Sequence, residues 1–311
     1  MENEASGEVG KRRKGFLKTL SWVFSILIIC ASVVYGQSAT EIPSHYGPLF
    51  QRLTGEGFDS EFLSPLFTDA RAELVPQVMT ISLDLYEVPE RYTQFLNPES
   101  ILLAKKFLDE NRMTMTKMES RFQVDKEVIV AILLVESRFG QNIGRYRVLP
   151  TLASMALMDS PENLRKNFST LRELDPELSY EWMEGRAKRR ARWAYQELKC
   201  FLTIIRYEEV DPLEVYGSSA GALGMAQFIP SSYLTYALNQ STFETWLLSK
   251  EEAIFSIGNY LKSHGWKKNL SVEKKKRILW AYNRSEPYVT TVLQVAEKIS
   301  PKKGKNRSSK N

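Results

Sequence analysis

The segment Val124-Asp-Lys-Glu-Val-Ile-Val-Ala-Ile-Leu-Leu-Val-Glu-Ser-Arg-Phe-Gly140 contains an uninterrupted apolar run, residues 128–135, that ends directly at Glu136. Such a run predicts a buried helix with the glutamate in its last turn. Burial disfavours the charged form of a carboxylate, and the negative end of a helix dipole acts in the same direction. The sequence therefore predicts a glutamate that holds its proton near neutral pH, as a general acid must.

The rest of the chain has the pattern of a helical globular protein. Its 311 residues, 43% hydrophobic and 25% charged, are enough for a large core and argue against general disorder. From residue 42 onward, helical periodicity is interrupted by Pro, Gly and Asn or Asp, and no long alternating strand pattern occurs. Residues 187–205 give the clearest amphipathic helix, and Pro230-Ser-Ser-Tyr233 predicts a helix start capped by a serine.

The charge of the chain is mildly basic. A net charge of +5 and a pI near 9.0 suit an anionic partner without choosing between nucleic acid, a membrane surface and an acidic polymer. Basic residues cluster at 11–14, 186–192, 267–277 and 302–305. The internal clusters fit either a solvated face or a contact strip for an anionic polymer.

The N-terminus predicts export. The basic residues 11–14 precede an uncharged stretch, residues 19–40, which is the pattern of a secretion signal. Three outcomes stay open: cleavage after Gly36, lipid attachment at Cys30, or retention as a membrane anchor, since about 20 apolar residues can span a bilayer. We expect a protein of the periplasm or cell envelope, and this location argues against nucleic acid as a partner.

Past this segment the chain has little material for disulfides or metals. Cys200 is its only cysteine there, and His45 and His264 are its only histidines. One cysteine cannot form an internal disulfide, and no Cys-x-x-Cys motif is present. We expect no cofactor and no metal.

Two further segments are unusual. The glycines of Tyr216-Gly-Ser-Ser-Ala-Gly-Ala-Leu-Gly-Met-Ala-Gln-Phe-Ile-Pro-Ser-Ser-Tyr233 allow close approach of a ligand, while Ser218 and Gln227 offer hydrogen bonds. The segment lacks the Lys-Ser/Thr ending of a phosphate-binding loop. The other segment, Leu279-Trp-Ala-Tyr-Asn-Arg-Ser-Glu-Pro-Tyr288, carries aromatic and amide groups that suit sugars.

Together these segments resemble one family. Val-Glu-Ser-Arg-Phe-Gly at 135–140 resembles the catalytic signature of lytic murein transglycosylases, and residues 217–233 are similar to the glycine-rich motif of the membrane-bound lytic transglycosylase B subfamily. Gly258-Asn-Tyr-Leu-Lys-Ser-His-Gly-Trp266 and Ala281-Tyr-Asn-Arg-Ser-Glu-Pro-Tyr288 match its later motifs in order. The resemblance covers about residues 90–298, and four ordered motifs make it specific.

The resemblance implies a mainly α fold, with a lysozyme-like helical core and an additional N-terminal helical subdomain. The expected organisation is a signal peptide or membrane anchor at 1–39, the helical subdomain at 40–120, the catalytic core at 121–300 and a disordered basic tail at 301–311. We expect a monomer that acts on peptidoglycan glycan strands.

The resemblance also implies a reaction. Family members cleave the β-1,4 bond between N-acetylmuramic acid (MurNAc) and N-acetylglucosamine (GlcNAc) without water, which leaves 1,6-anhydro-MurNAc ends. Glu136 would serve as the single acid and base, assisted by the N-acetyl group of the substrate in place of a second carboxylate. The matching substrate-binding positions are Ser218, Gln227, Tyr260, Tyr282, Asn283 and Tyr288.

One stretch departs from the family pattern. The subfamily often has an acidic calcium loop where this chain has Leu238-Asn-Gln-Ser-Thr-Phe-Glu-Thr-Trp246, with Glu244 as the only carboxylate. Calcium takes six to eight oxygen ligands, several of them from carboxylates. We therefore expect no calcium here.

Three alternatives remain at this point. A hydrolytic muramidase would need a second, water-activating carboxylate opposite Glu136. A wall-binding or scaffold protein would keep the fold without activity. Glu136 could also be a core acid paired with Arg138 or Arg145.

Overall fold

The computed structural model describes residues 41–83, 89–238 and 241–301, which belong to one compact unit, Thr40–Asn311. The expected signal or anchor at 1–39 and the tail beyond residue 301 lie outside the described residues. The boundary expected at 120/121 stays a prediction. No helix in the described part of the chain has the length and apolar character that crossing a bilayer requires.

The described residues form fifteen α-helices, so the expected mainly α class is confirmed. The helices are α1 Gly47–Gly55, α2 Ser60–Thr68, α3 Pro76–Leu83, α4 Glu90–Thr93, α5 Pro98–Glu110, α6 Arg112–Phe122, α7 Lys126–Ser137, α8 Val148–Ala156, α9 Pro161–Leu174, α10 Tyr180–Ile205, α11 Pro230–Tyr236, α12 Phe243–Leu248, α13 Lys250–Ser263, α14 Val272–Tyr282 and α15 Glu286–Ile299. Short 3-10 helices cover Ala70–Ala72 and Gln94–Leu96.

Helix α7 lies at the centre of the core. Residues 128–134 are all buried, with exposed fractions of 2% or less, and α5, α6, α13 and α15 pack around them. A helix that is apolar on every side is stable only when other elements cover all of it. Its start is also fixed, because the Asp125 carboxylate accepts hydrogen bonds from Lys275 Nζ at 2.9 Å and Trp266 Nε1 at 3.3 Å.

A small antiparallel sheet brings distant parts of the chain together. Strand β1, Tyr146–Arg147, pairs with β2, Tyr216–Gly217, so that Tyr146 lies opposite Gly217. Strand β1 follows the end of α7 closely in sequence, whereas β2 opens the glycine-rich segment. The pairing therefore places this segment beside the end of α7.

Arg71 ties the N-terminal helices to the approach to β2. Its guanidinium contacts Asp69, Asp211 and Glu214, each at 2.8 Å or less. These groups are partly exposed, so the contacts orient the chain more than they stabilise it. The hydrogen bonds from Arg71 lower the pKa of Asp69 to about 2.

The expected serine cap of α11 is wrong, because a buried glutamate from another helix takes its place. The N-cap residue is Ile229, which has no side-chain acceptor. Instead, the Glu197 carboxylate of α10 accepts hydrogen bonds from the Ser231 backbone N–H and the Ser231 hydroxyl, both at 2.9 Å. Burial raises the pKa of Glu197, and these two hydrogen bonds oppose the rise.

Replacing Glu197 should show how much this cap contributes. Glu197→Ala leaves the Ser231 groups without an acceptor and should lower the free energy of unfolding by about 2–3 kcal/mol. Glu197→Gln keeps one oxygen acceptor and should cost about 1 kcal/mol. Urea unfolding measures both, with Gln196→Ala on the exposed side of the same helix as the control. Equal losses for the alanine and glutamine variants would contradict the capping role.

Candidate active site

Glu136 lies in the last turn of α7, as expected, directly after the buried run of the helix ends. Residues 128–134 are buried, whereas Val135 and Glu136 are partly exposed. Burial raises the pKa of Glu136 from 4.5 to about 7. The group is therefore close to half protonated at neutral pH, which suits an acid that must also act as a base.

Two tyrosines, Tyr282 and Tyr288, lie near enough to this carboxyl group to feel its charge. Interaction with the Tyr288 hydroxyl lowers the pKa of Glu136 and offsets part of the effect of burial. The Tyr288 hydroxyl is itself buried, and no described residue forms a hydrogen bond of normal geometry with it. Burial and the nearby charge of Glu136 raise the pKa of both Tyr282 and Tyr288 well above the usual value. Both phenols therefore keep their protons when Glu136 ionises.

Neither arginine near Glu136 in sequence pairs with it. Arg138 forms an ion pair with Glu99 at 3.3 Å, and Arg145 lies over the ring of Tyr146. No salt bridge joins a basic residue to Glu136 within the described ranges. The alternative of an ion-paired core acid does not describe this glutamate.

The turn after Glu136 is strained and held on both sides. Arg138, Phe139 and Gly140 have φ values of 50°, 60° and 86°, which are unfavourable for residues other than glycine. The Ser137 hydroxyl donates to the Met225 carbonyl at 2.7 Å and accepts from the Gly140 N–H at 3.0 Å. Phe139 stacks on Phe107 with ring centres 4.1 Å apart.

Sequence reasoning missed the role of Ser137. The residue is 1% exposed, and its hydroxyl is the direct link between the end of α7 and the glycine-rich segment. A hydroxyl residue at the end of an apolar helix was the available signal, because a buried hydroxyl needs partners.

Ser218 organises the start of the glycine-rich segment. Its Oγ accepts hydrogen bonds from the N–H groups of Ala220, at 3.1 Å, and Ala222, at 3.0 Å. A hydroxyl has two acceptor sites and one donor, so the O–H of Ser218 remains to donate to a ligand. The residue is partly exposed, which leaves that donor accessible.

Gln227 is oriented just as firmly. Its Nε2 donates to the carbonyl of Ile143 at 3.1 Å and to that of Gly224 at 2.8 Å. Two carbonyl partners require the NH₂ end of the amide, which settles the orientation of the side chain. The oxygen Oε1 is then the atom that can accept a hydrogen bond from a ligand.

Gly144 allows the two segments to meet. It has φ 103°, and an added Cβ would lie 2.0 Å from the carbonyl carbon and oxygen of Gly217 and 2.5 Å from the nitrogen of Ser218. Any side chain at residue 144 would therefore force the backbones apart. The segment at Ser218 can lie this close to the end of α7 only with glycine at this position.

The remaining residues expected to bind substrate are Tyr282, Tyr260 and Asn283. Tyr282 donates its hydroxyl hydrogen to the Ala226 carbonyl at 2.6 Å. Tyr260 lies behind it, 5% exposed, with ring centres 4.9 Å from Tyr282 and 4.1 Å from the stacked ring of His264. Asn283 is partly exposed at the end of α14. Substrate contact by each of these residues stays a prediction, and the burial of Tyr260 suits a residue that supports Tyr282.

With this geometry, comparison with known proteins identifies the family. Residues 46–278 match the family described as Transglycosylase SLT domain. The chain belongs to this family. The membrane-bound lytic murein transglycosylase B of Escherichia coli (strain K12) is 31% identical over 226 residues, which cover 68% of this chain and 54% of that protein. The chain thus matches about half of the length of this relative.

Solved structures show the fold of this transglycosylase SLT domain. The soluble lytic transglycosylase SltB1 from Pseudomonas aeruginosa superposes with a TM-score of 0.64 and 24% identity, covering 83% of this chain and 98% of SltB1. SltB3 from the same organism, solved in complex with NAG-anhNAM-pentapeptide, gives a TM-score of 0.62 and 19% identity over 81% of this chain and 78% of SltB3. The expected lysozyme-like fold is confirmed.

The residues at the position of the calcium loop of the subfamily do not suit that ion. Glu244 is exposed in the first turn of α12, and Glu252 accepts a hydrogen bond from Ser241 at 2.7 Å. Within the described residues, no group of three or more carboxylate, imidazole or thiol side chains could hold a metal. The donors that calcium needs are therefore not assembled there. Because residues 239 and 240 lie outside the described ranges, the absence of calcium stays a prediction.

Removing the Glu136 charge should stabilise this SLT domain at high pH. The pKa of Glu136 is higher in the folded state than in the unfolded state. The stability that depends on its protonation is therefore fully present below pH 4.5 and is lost as the pH rises from 4.5 to about 7. At about 1.4 kcal/mol per pKa unit, the loss is roughly 3 kcal/mol. The uncharged Glu136→Gln avoids it.

Urea unfolding at about pH 4 and about pH 8 measures this effect. The difference in the free energy of unfolding between Glu136→Gln and the wild type should increase by roughly 3 kcal/mol from the lower to the higher pH. Glu127→Gln, at the start of the same helix, is the control for loss of a carboxylate. A Glu136→Gln gain that is the same at both pH values would mean that Glu136 titrates normally in the folded protein.

Proposed function

We propose that the protein is a lytic transglycosylase that cleaves the β-1,4 bond between MurNAc and GlcNAc in peptidoglycan and leaves 1,6-anhydro-MurNAc ends. The observation that carries the proposal is the raised pKa of Glu136, about 7, at the solvent-reaching end of a buried helix. Family membership supports it, as does the E. coli relative that is a lytic murein transglycosylase.

In the first step, Glu136 gives its proton to the bridging oxygen while the bond from that oxygen to C1 of MurNAc breaks. The GlcNAc part leaves with this proton. The N-acetyl oxygen of MurNAc stabilises the positive charge that develops at C1, as in substrate-assisted glycosidases. Tyr288, which keeps its proton, stabilises the carboxylate that forms.

In the second step, the Glu136 carboxylate takes the proton from the C6 hydroxyl of the same MurNAc. The oxygen of that hydroxyl bonds to C1 and closes the anhydro ring. Glu136 is then protonated again, and no water is consumed. Meanwhile, the hydroxyl of Ser218 donates a hydrogen bond to the substrate, and Oε1 of Gln227 accepts one.

A single carboxylate is consistent with the surroundings of Glu136. Burial and Tyr288 account for its shifted pKa, and no other carboxylate of the described chain contributes to it. An inverting hydrolase places its second carboxyl group roughly 6.5–9.5 Å from the first, to hold a water, and a retaining one places it closer. A carboxylate that near in a buried site would raise the pKa of Glu136 further.

The proposal includes the cellular setting. We expect the protein to be exported to the periplasm or cell envelope, where peptidoglycan lies, and to act as a monomer. The E. coli relative is described as membrane-bound, in agreement with an envelope protein. Whether the N-terminal segment is cleaved, lipidated or kept as an anchor is decided by the N-terminus and mass of the mature protein.

Product analysis tests the reaction. The purified protein is incubated with peptidoglycan, and the products are analysed by mass spectrometry. Anhydro-muropeptides are expected. Reducing MurNAc ends would instead identify a hydrolytic muramidase, and retained binding without products would identify a scaffold. Glu136→Gln should lower the rate at least about a hundredfold, the usual contribution of a general acid. The control variant Glu127→Gln should remain active.

The pH dependence gives a second test of Glu136. The reaction begins with the protonated acid, so kcat/KM should fall as the pH rises through about 7. Initial rates on soluble glycan fragments across the neutral range measure this limb. A rate that stays constant well above neutral pH would exclude Glu136 as the group that protonates the leaving oxygen.

A further inference from the structure

Arg145 is an exposed arginine with no ionic partner among the residues that the structure describes. It forms no ion pair or hydrogen bond with the described residues, and its guanidinium carbon lies 5.5 Å from the centre of the Tyr146 ring. The neighbouring Arg147 differs, since its Nε donates to the Leu213 carbonyl at 2.7 Å and it pairs with Glu214. Contacts within the protein therefore account for the guanidinium of Arg147, whereas they give no role to that of Arg145.

The position of Arg145 is fixed by its two neighbours. Gly144 packs directly against the peptide bond between Gly217 and Ser218, and Tyr146 is the strand partner of Gly217. Arg145 is therefore held beside the start of the glycine-rich segment. Ser218, which offers its hydroxyl hydrogen to the substrate, lies in that same segment.

The Tyr146 ring also limits the orientation of the Arg145 guanidinium. The hydroxyl of Tyr146 donates to Gln77 Oε1 at 3.3 Å, which holds the ring on which Arg145 lies. An arginine over an aromatic face keeps its planar edge free for hydrogen bonds. That edge matches a carboxylate, with two parallel N–H donors for two oxygens.

We propose that Arg145 binds a free carboxylate of the peptide that peptidoglycan carries on MurNAc. This inference rests on the proposed function. The two sugars of the strand carry no charge, so the carboxylates of the attached peptides supply the anions next to the cleaved bond. Arg145 is a specificity-determining residue, and the protein prefers strands that still carry peptides.

SltB3 from Pseudomonas aeruginosa has been solved with NAG-anhNAM-pentapeptide, a ligand that carries such a peptide. In the present chain, a guanidinium with no ionic partner among the described residues lies beside the segment expected to bind the sugar. A charge-assisted, two-point contact of this kind predicts about a tenfold preference for peptide-bearing strands over peptide-free ones.

The test compares three substrates: intact glycan strands, the same strands freed of peptides by an amidase, and strands whose peptide carboxylates are converted to amides. Arg145→Gln should lower the ratio of kcat/KM for intact over peptide-free strands about tenfold. In the wild type, amidation should reduce the preference to a similar extent. Arg145→Lys keeps the charge but loses the two-point contact. Its ratio of kcat/KM for intact over peptide-free strands should lie between those of the wild type and Arg145→Gln.

Arg172→Gln is the matched control. Arg172 is also exposed and also lies 5.5 Å from the centre of an aromatic ring, that of Phe168, but on α9. Its removal should leave the substrate ratio unchanged. The proposal is overturned if Arg145→Gln lowers kcat/KM equally for intact and peptide-free strands, or if the ratio does not change.

A binding measurement separates this inference from the proposed function. The Glu136→Gln protein, with and without Arg145→Gln, is titrated with a disaccharide that carries a peptide and with the same disaccharide lacking it. If the wild type cleaves no strand, the proposed function fails, while the titration still decides the role of Arg145. An affinity for the peptide-bearing ligand that is independent of Arg145 would overturn the inference alone.

Discussion

The hydrogen bond from the Ser137 hydroxyl to the Met225 carbonyl, 2.7 Å long, joins the end of α7 to the glycine-rich segment. Glu136 immediately precedes this link, so the position of its carboxyl group relative to Ser218 and Gln227 depends on it. The bond also stabilises a turn with three successive positive φ values, because the same hydroxyl accepts from Gly140. Backbone strain of this kind persists only where the surrounding structure holds it.

The environment that suits Glu136 to acid chemistry is costly to the fold. The buried helix raises the pKa of the carboxyl group to about 7, and the same burial makes its ionised form unfavourable. Tyr288 compensates in part, as a protonated phenol in contact with the carboxyl group. Stability and function therefore oppose each other at this residue, which is common at active sites. Arg145, in contrast, is exposed and costs the fold little.

Several parts of the site could be predicted without coordinates. Glu136 is marked by the apolar run before it, and that run also predicts its raised pKa. The resemblance to the later family motifs selected Tyr282 and Tyr288 as substrate-binding positions, and the fold brings both near the glutamate. The cap of α11 could not be predicted, since Glu197 is far from Ser231 in sequence and only helix packing makes them neighbours. Nor does the sequence show that Tyr260 lies behind Tyr282.

By itself, the sequence determined the helical class, the apolar helix and the unusual acid at its end, because periodicity and the pattern of apolar residues are local properties of the chain. The resemblance to family motifs added the expected reaction, in which Glu136 is the single acid and base. Tertiary structure alone decided that Ser137 and Gly144 fasten α7 to the glycine-rich segment, and that Arg138 pairs with Glu99 instead of Glu136. Such contacts join residues far apart in sequence, and they depend on distances and directions that only the packed chain defines.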